Sequence, residues 1–486
     1  MDRCLLGVSP RLLVSVLATT LLAPLLPLSE PGTVLRGNFL AQAATFAQTP
    51  ASSADKQLEE GLRLLSQEGA ETPIAALGNL QQALSGYRLS KNRFGEGQAA
   101  SAIGEAHYRL RQYQKAETAY RQALVAYQQV SPASEKLLRQ WGTTLNNLGA
   151  LYETQGQYQN AWDAYSKALT VRRQAKDEAG EGTTLNNLAG VYFRLGDHQN
   201  AQSHYLAALA IRRRVGDRAG EATTLNNLGF FSRSAGQYHQ SQGKEEDSRK
   251  WFTTALNYYN QSLAIRQQQN DFNGQASILN NMGAVYRDLS RLGTPEQSRQ
   301  SLTNAERAYR AALDVYIAQN DRKGQTTLLN NLGGLFLEQE RLEEAKANYE
   351  KARDLIRGDG SPEEATTLSN LGFLYRSYGD GWKNRNLARE SDRQKSEALK
   401  NAQTYYRDAL NAYQNALMVI RKLGDRASES ATLNNIAGLY LELNQPASAL
   451  EAYELALTLY REGGDRASEA TTRHNIGVAH ARQGQY

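Results

Sequence analysis

Only one cysteine, Cys4, occurs in 486 residues. It lies in the leading segment 1–47, so the chain after that segment has no disulfide, thiolate metal site or cysteine nucleophile. Ten prolines and the scarcity of β-branched and turn-rich patterns favour helix over strand. Beyond the leader no stretch holds the eighteen or so uninterrupted apolar residues that a spanning helix needs, which leaves no membrane span in the mature chain. A dominant sign of charge is lacking too: 55 basic and 50 acidic residues, formally +5, are dispersed along the chain and argue against a nucleic-acid partner. The histidines (His107, His198, His204, His239, His474 and His480) show no HExxH or other ligand spacing, and Walker, GxGxxG and GxSxG loops are absent. The reading is a chain with no catalytic residue, metal site or cofactor of its own.

The leader reads separately. Arg3 and Arg11 precede the apolar run Leu12 to Leu28, and small-residue sites follow at Ala41-Gln42-Ala43 and Thr45-Phe46-Ala47. Residues 1–47 are therefore expected to be a signal peptide and processing region, exporting the protein to a periplasmic or extracellular space. Pro24, Pro27 and the length of the segment keep open an uncleaved leader that anchors the chain to a membrane.

What the chain has in abundance is repetition. Blocks such as TTLNNLG (143–149), TTLNNLA (183–189) and TTLNNLG (223–229) align on a second asparagine at 147, 187, 227, 281, 331, 370, 435 and 475. The spacings are 40, 40, 54, 50, 39, 65 and 40 residues, a unit of about 40 with insertions. Within a unit Leu145, Leu148, Gly149 and Tyr152 share one helical face, Gly156 marks a turn, and Ala161, Tyr165 and Ala168 share a second. Each unit is thus expected to be a helical hairpin. At the junctions Asp177, Asp217, Asp271, Asp321, Asp425 and Asp465 each stand ten residues before the second Asn, where an N-cap suits them better than acid-base chemistry.

Small and large residues at these spacings resemble the tetratricopeptide repeat, in the roughly 40-residue form seen in kinesin light chains. The resemblance implies an all-α, right-handed superhelical solenoid of antiparallel helix pairs. On this reading residues 48–90 form a degenerate capping hairpin. Residues 91–486 form about nine units, with inserts near 239–252, 289–303 and 379–401 emerging on one edge. Trp251 and Trp382 in these inserts are either adhesive points or packing for their own loops. The last unit stops at Tyr486, in register with Tyr158, and its apolar Ile476 and Val478 suggest a longer protein, although a short natural end is the alternative.

On a helical wheel Asn146 and Asn147 fall about 60° and 40° either side of the line opposite the hairpin core. The resemblance places this first-helix face along a concave groove. The candidate peptide-binding residues are Asn146, Asn147, Asn186, Asn187, Asn226, Asn227, Asn280, Asn281, Asn330, Asn331, Asn370, Asn434, Asn435 and Asn475, with Arg194, Arg233 and Arg287 a turn further on. An amide offers donors and an acceptor to a peptide backbone; the other reading is that one Asn of each pair bridges to the next repeat. The arginines, with Phe193 and Arg376, point to a partner with acidic and hydrophobic side chains, unless nearby Glu338 and Glu442 pair with them. The function expected is an exported protein-protein interaction scaffold. The alternatives are the recognition arm of a longer enzyme, such as a CHAT-type caspase-like protease, and self-assembly through the end repeats.

Overall fold

The computed structural model describes residues 52–67, 71–384 and 391–484. The leader with Cys4, part of the 379–401 insert and Tyr486 lie outside the described residues. Among the described residues there are 19 helices and no strand. A leading hairpin, α1 (Ser53–Ser66) and α2 (Thr72–Leu89), is followed by α3 (Arg93–Arg109) with α4 (Tyr113–Gln128) and α5 (Glu135–Thr154) with α6 (Tyr158–Gln174). Next come α7 (Glu178–Arg194) with α8 (His198–Arg214), then α9 (Arg218–Ser241) and α10 (Glu245–Gln268). The later pairs are α11 (Phe272–Leu289) with α12 (Pro295–Ala318), α13 (Arg322–Glu338) with α14 (Leu342–Ile356), and α15 (Pro362–Lys383) with α16 (Asp392–Leu423). Last are α17 (Arg426–Glu442) with α18 (Pro446–Gly463), and α19 (Arg466–Arg482). The helices fall into two compact units: one runs to Ala235 and includes Asn260–Ile265, the other comprises Gly236–Tyr259 and the chain from Arg266.

Inside each unit a glycine on the first helix lets a tyrosine ring from the second lie flat against the backbone. A Cβ on Gly149 would sit 2.7 Å from the Tyr165 ring, and one on Gly333 would sit 2.5 Å from Tyr349. Both tyrosines are buried beside fully buried alanines, Ala161 and Ala168 in one hairpin and Ala345 and Ala352 in the other. Small residue against large ring is how these antiparallel helices reach close packing.

The junction aspartates cap the helices they precede. Asp177, Asp271, Asp321, Asp425 and Asp465 accept from the backbone N–H three residues on, at 2.8–3.2 Å, and Asp217 does the same to Gly220 at 2.9 Å. The residue before each cap has positive φ: Lys176, Gly216, Asn270, Asn320, Gly424 and Gly464. That left-handed residue ends one helix and its neighbour starts the next.

The inserts lengthen helices, as their mixed charge suggests. Helices α9 and α10 have 24 residues each, against 17 each in α7 and α8, and α16 has 32. Phe252, fully buried, packs on Gly236 within one extension. Trp382 packs against the core of the second unit, and Trp251 is half-buried.

Candidate ligand-binding face

The asparagine doublets stand on the first helices, where consecutive repeats meet side by side. In the first unit Asn187 Nδ2 donates to Asn146 Oδ1 (3.2 Å), Asn227 Nδ2 to Asn186 Oδ1 (3.1 Å), and Asn186 Nδ2 to Asn187 Oδ1 (3.4 Å). The second unit repeats the rule with Asn331 Nδ2 to Asn280 Oδ1 (2.7 Å) and Asn370 Nδ2 to Asn330 Oδ1 (3.2 Å). The second Asn of one repeat thus donates to the first Asn of the repeat before it. Asn146, Asn147, Asn186, Asn187, Asn227, Asn280, Asn330 and Asn370 are buried, while Asn226, Asn281, Asn331, Asn434, Asn435 and Asn475 are half-buried. The doublets are therefore less open than a helical wheel suggests. The wheel locates a side chain relative to its own hairpin, whereas the neighbouring first helix is what covers this face.

Threonines three residues before the second Asn belong to the same ladder, and sequence reasoning missed them. Thr184 Oγ1 donates to Asn146 Oδ1 (3.3 Å), Thr472 Oγ1 to Asn434 Oδ1 (3.4 Å), and Thr367 Oγ1 accepts from Asn330 Nδ2 (2.8 Å). Their recurrence at 144, 184, 224, 367, 432 and 472 was the available signal.

Three second asparagines make no bond to the preceding repeat among the described residues, Asn147, Asn435 and Asn475, and the first two follow a serine. Ser101 stands where the first Asn should be, and its hydroxyl accepts from Thr144 Oγ1 (2.9 Å). Asn147, which would have donated there, keeps both amide atoms buried and unbonded, as does Asn146 its Nδ2. Ser369 likewise turns back to the Ala365 carbonyl (2.8 Å), and half-buried Asn435 makes no side-chain hydrogen bond among the described residues. A serine side chain is too short to span the gap that an asparagine fills.

About two turns further on, charge and aromatic residues decide the character of the face. Arg287 is not available to a ligand: Glu338 holds it through two 2.7 Å bonds, and Arg291 adds a third to Glu338 at 2.9 Å. Burial opposes the charge on both partners, yet the pairing raises Arg287 above its ordinary pKa and holds Glu338 below the ordinary carboxylate value. Arg376 lies 3.8 Å from Asp380, and Glu442 pairs with Lys383 and Arg482. Arg233 is half-buried. Arg194 differs: half-buried, it has no direct ion pair or hydrogen bond among the described residues. Beside it the Phe193 ring packs edge-on against Phe230 and Phe231, at 5.9 Å each. Among the described residues no group of three or more His, Cys, Asp or Glu is placed to hold a metal ion, and no helix is long and apolar enough to cross a membrane.

The chain is similar to BtubC (BKLC) from P. vanneervenii at 21% identity over 56% of this chain and 93% of that one, with a TM-score of 0.40. It is similar to the apo quorum sensor NprR from B. thuringiensis at 14% identity over 83% and 97%, with a TM-score of 0.47. A putative kinesin light chain with TPR-like repeats from Podosopora anserina shows 12% identity over 48% and 94%, with a TM-score of 0.32. No curated protein matches the chain. Two tetratricopeptide-repeat family models match residues 180–252, 324–383 and 398–462, and residues 97–133 and 141–175. These spans cover more than half of the sequence, and the chain belongs to the tetratricopeptide repeat family.

Proposed function

We propose that this chain is a protein-interaction scaffold whose first-helix face holds an extended peptide or protein segment by its backbone. The observation that supports the reading is the open rung at Asn435. Half-buried Asn435 makes no side-chain hydrogen bond among the described residues, so its amide keeps donors and an acceptor, the complement of a peptide N–H and C=O. Phe193 and Phe230 add an apolar spot and Arg194 a positive charge outside any direct ion pair, which suits a partner with hydrophobic and acidic side chains.

A peptide array probed with the labelled chain tests this. Binding should fall about tenfold in Asn435→Ala, the worth of one or two hydrogen bonds. Equal signals from wild type and the variant, with helicity intact by circular dichroism, would remove the reading. Export by the 1–47 leader belongs to the same proposal, supported by Arg3, Arg11 and the apolar run after them. N-terminal sequencing of the protein recovered outside the cytoplasm would detect cleavage near Ala43 or Ala47, and an intact Met1 there would argue for an anchor instead.

A further inference from the structure

A 2.9 Å bond from Arg88 to Glu96 ties the end of α2 to the start of α3, and the same joint recurs as Arg173 to Glu181 at 2.7 Å and Arg213 to Glu221 at 2.8 Å. The first of these joints opens on a cavity of about 460 Å³ between α2, α3 and α4, a size that suits a small ligand. Arg88, Arg93 and Arg121 line it, and Glu96 is the carboxylate among its described lining residues. The arginine side chains are 49%, 44% and 63% exposed and that of Glu96 only 12%, so the guanidiniums reach the cavity while the carboxylate is covered. A smaller cavity of about 280 Å³ adjoins it along Thr118 and Gln122 and adds Lys115. A guanidinium carries five N–H donors. Arg88 uses only Nε and Arg93 only Nη1, both on Glu96, whereas Arg121 uses Nε on Glu117 and Nη2 on the Tyr152 hydroxyl. Both Nη groups of Arg88, Nε and Nη2 of Arg93, and Nη1 of Arg121 make no hydrogen bond among the described residues.

Register separates the joint from the surplus charge around it. Counted from Tyr120, Tyr205 and Tyr259, the position of Arg121 is taken by Leu206 beside the second joint and by Asn260 beside the third. Glu178 and Arg218 stand where Arg93 does, directly after the capping residue. The charges at these four positions sum to +2 at the first joint, −1 at the second and +1 at the third, so joining two repeats does not require the surplus. We propose that the first cavity is an anion site for a phosphate monoester, held by the free N–H groups of Arg88, Arg93 and Arg121. Such a group brings about −1.5 to −2 charges and three acceptor oxygens near neutrality, and guanidinium forks match phosphate oxygens in geometry as well as in charge. A single carboxylate would leave part of the surplus unanswered. The site shares no lining residue with the asparagine stripe and stands independently of the peptide reading above.

The test uses the whole chain, a fluorescein-labelled Gly-Ser peptide carrying one phosphoserine, and the same peptide with aspartate in its place. Both are titrated by fluorescence anisotropy at about pH 7.5, where the phosphate is mostly a dianion, its second pKa being about 6. The phosphopeptide should bind, and the aspartate peptide should bind about tenfold more weakly or less. Arg121→Leu and Arg93→Gln should each weaken the phosphopeptide about tenfold, the effect of one charge-assisted bond. Arg173→Gln removes the same charge from the second joint and should change nothing. Arg93→Gln leaves the bond from Arg88 to Glu96 in place, so it carries the test should Arg121→Leu unfold in a thermal melt. Equal losses in Arg93→Gln and Arg173→Gln would reduce the effect to general attraction by a positive surface and overturn the site. Equal binding of the two peptides, or no binding of the phosphopeptide, overturns it as well. Inorganic phosphate as competitor then separates the sources. Displacement at concentrations near the dissociation constant of the peptide upholds the site as one for free phosphate compounds, and displacement only at about tenfold more upholds it as one for a phosphorylated protein segment.

Discussion

Asn187 Nδ2 and Asn146 Oδ1 lie 3.2 Å apart across the boundary between two repeats, so a residue poor at forming helices is retained because it joins one helix to the next. Ile or Leu would pack there, but neither fixes the register between repeats with a directional bond. Helix propensity differences are tenths of a kcal/mol, whereas a buried amide-amide bond contributes about 1 kcal/mol.

Closed and absent rungs should respond differently to the same change. Asn187→Ala removes the bond and strands part of the Asn146 acceptor, at an expected cost of about 1–2 kcal/mol. Asn475→Ala, at a half-buried residue with no side-chain hydrogen bond among the described residues, should stay within about 0.5 kcal/mol. Urea unfolding followed by circular dichroism compares them, and equal costs would show that the ladder carries no stability.

Two glycines that look alike in the sequence should also part company. Gly149 faces the buried Tyr165 ring, 2.7 Å from where a Cβ would sit, whereas Gly477, at the same register position in the last repeat, faces open space. Gly149→Ala should cost about 1–3 kcal/mol through overpacking. Gly477→Ala should gain up to about 1 kcal/mol by improving helix propensity. Thermal melts of the two variants decide it; destabilisation by both would mean that the tyrosine contact is not what sets the requirement for glycine.

The same contrast marks what a sequence can say. Gly149, Tyr165 and the Asp177 cap act within one repeat or across its immediate junction, so spacing and helical period alone locate them. Burial of Asn146 depends on Asn187 and Thr184 in the next repeat, and the commitment of Arg287 depends on Glu338, 51 residues further on. A wheel drawn for one helix has no place for either. The inserts were legible both as insertions and, from their mixed charge, as solvated helix extensions; what their polar composition hid was the buried Phe252 that packs on Gly236.

Glu338 and Glu153 should give opposite pH signatures. Bonds to Arg287 and Arg291 hold Glu338 below the ordinary value despite burial. Its stabilising contribution is full above the unfolded value of about 4.3 and is lost as pH falls through the lower folded one. Desolvation raises Glu153, so the folded state binds the proton more readily and gains stability as pH falls through its folded pKa toward the unfolded value. Glu338→Gln should cost about 2 kcal/mol or more near neutrality, with Arg287 left buried beside it, and should flatten the acid-side loss. Glu153→Gln should raise the melting temperature near neutral pH and gain nothing on acidification. Melts from about pH 7.5 to about pH 3.5 on wild type and both variants test the signs; parallel curves would contradict them.

Stability and binding should separate at Asn147. Its two amide atoms are buried without partners, a state that costs about 1–3 kcal/mol in the unliganded protein. Leucine has nearly the same shape and nothing to leave unbonded, so Asn147→Leu should stabilise the chain by about 1 kcal/mol. Asn147 is 1% exposed, so the same substitution should leave peptide capture on the array unchanged. At Asn187, where the amide is already spent on Asn146, leucine should destabilise the fold. Chemical unfolding and array binding measured on Asn147→Leu and Asn187→Leu separate these expectations. If Asn147→Leu destabilises as much as Asn187→Leu, an unseen bond satisfies Asn147 and the open rung does not exist. If it stabilises and capture falls, a ligand does reach the rung at Asn147.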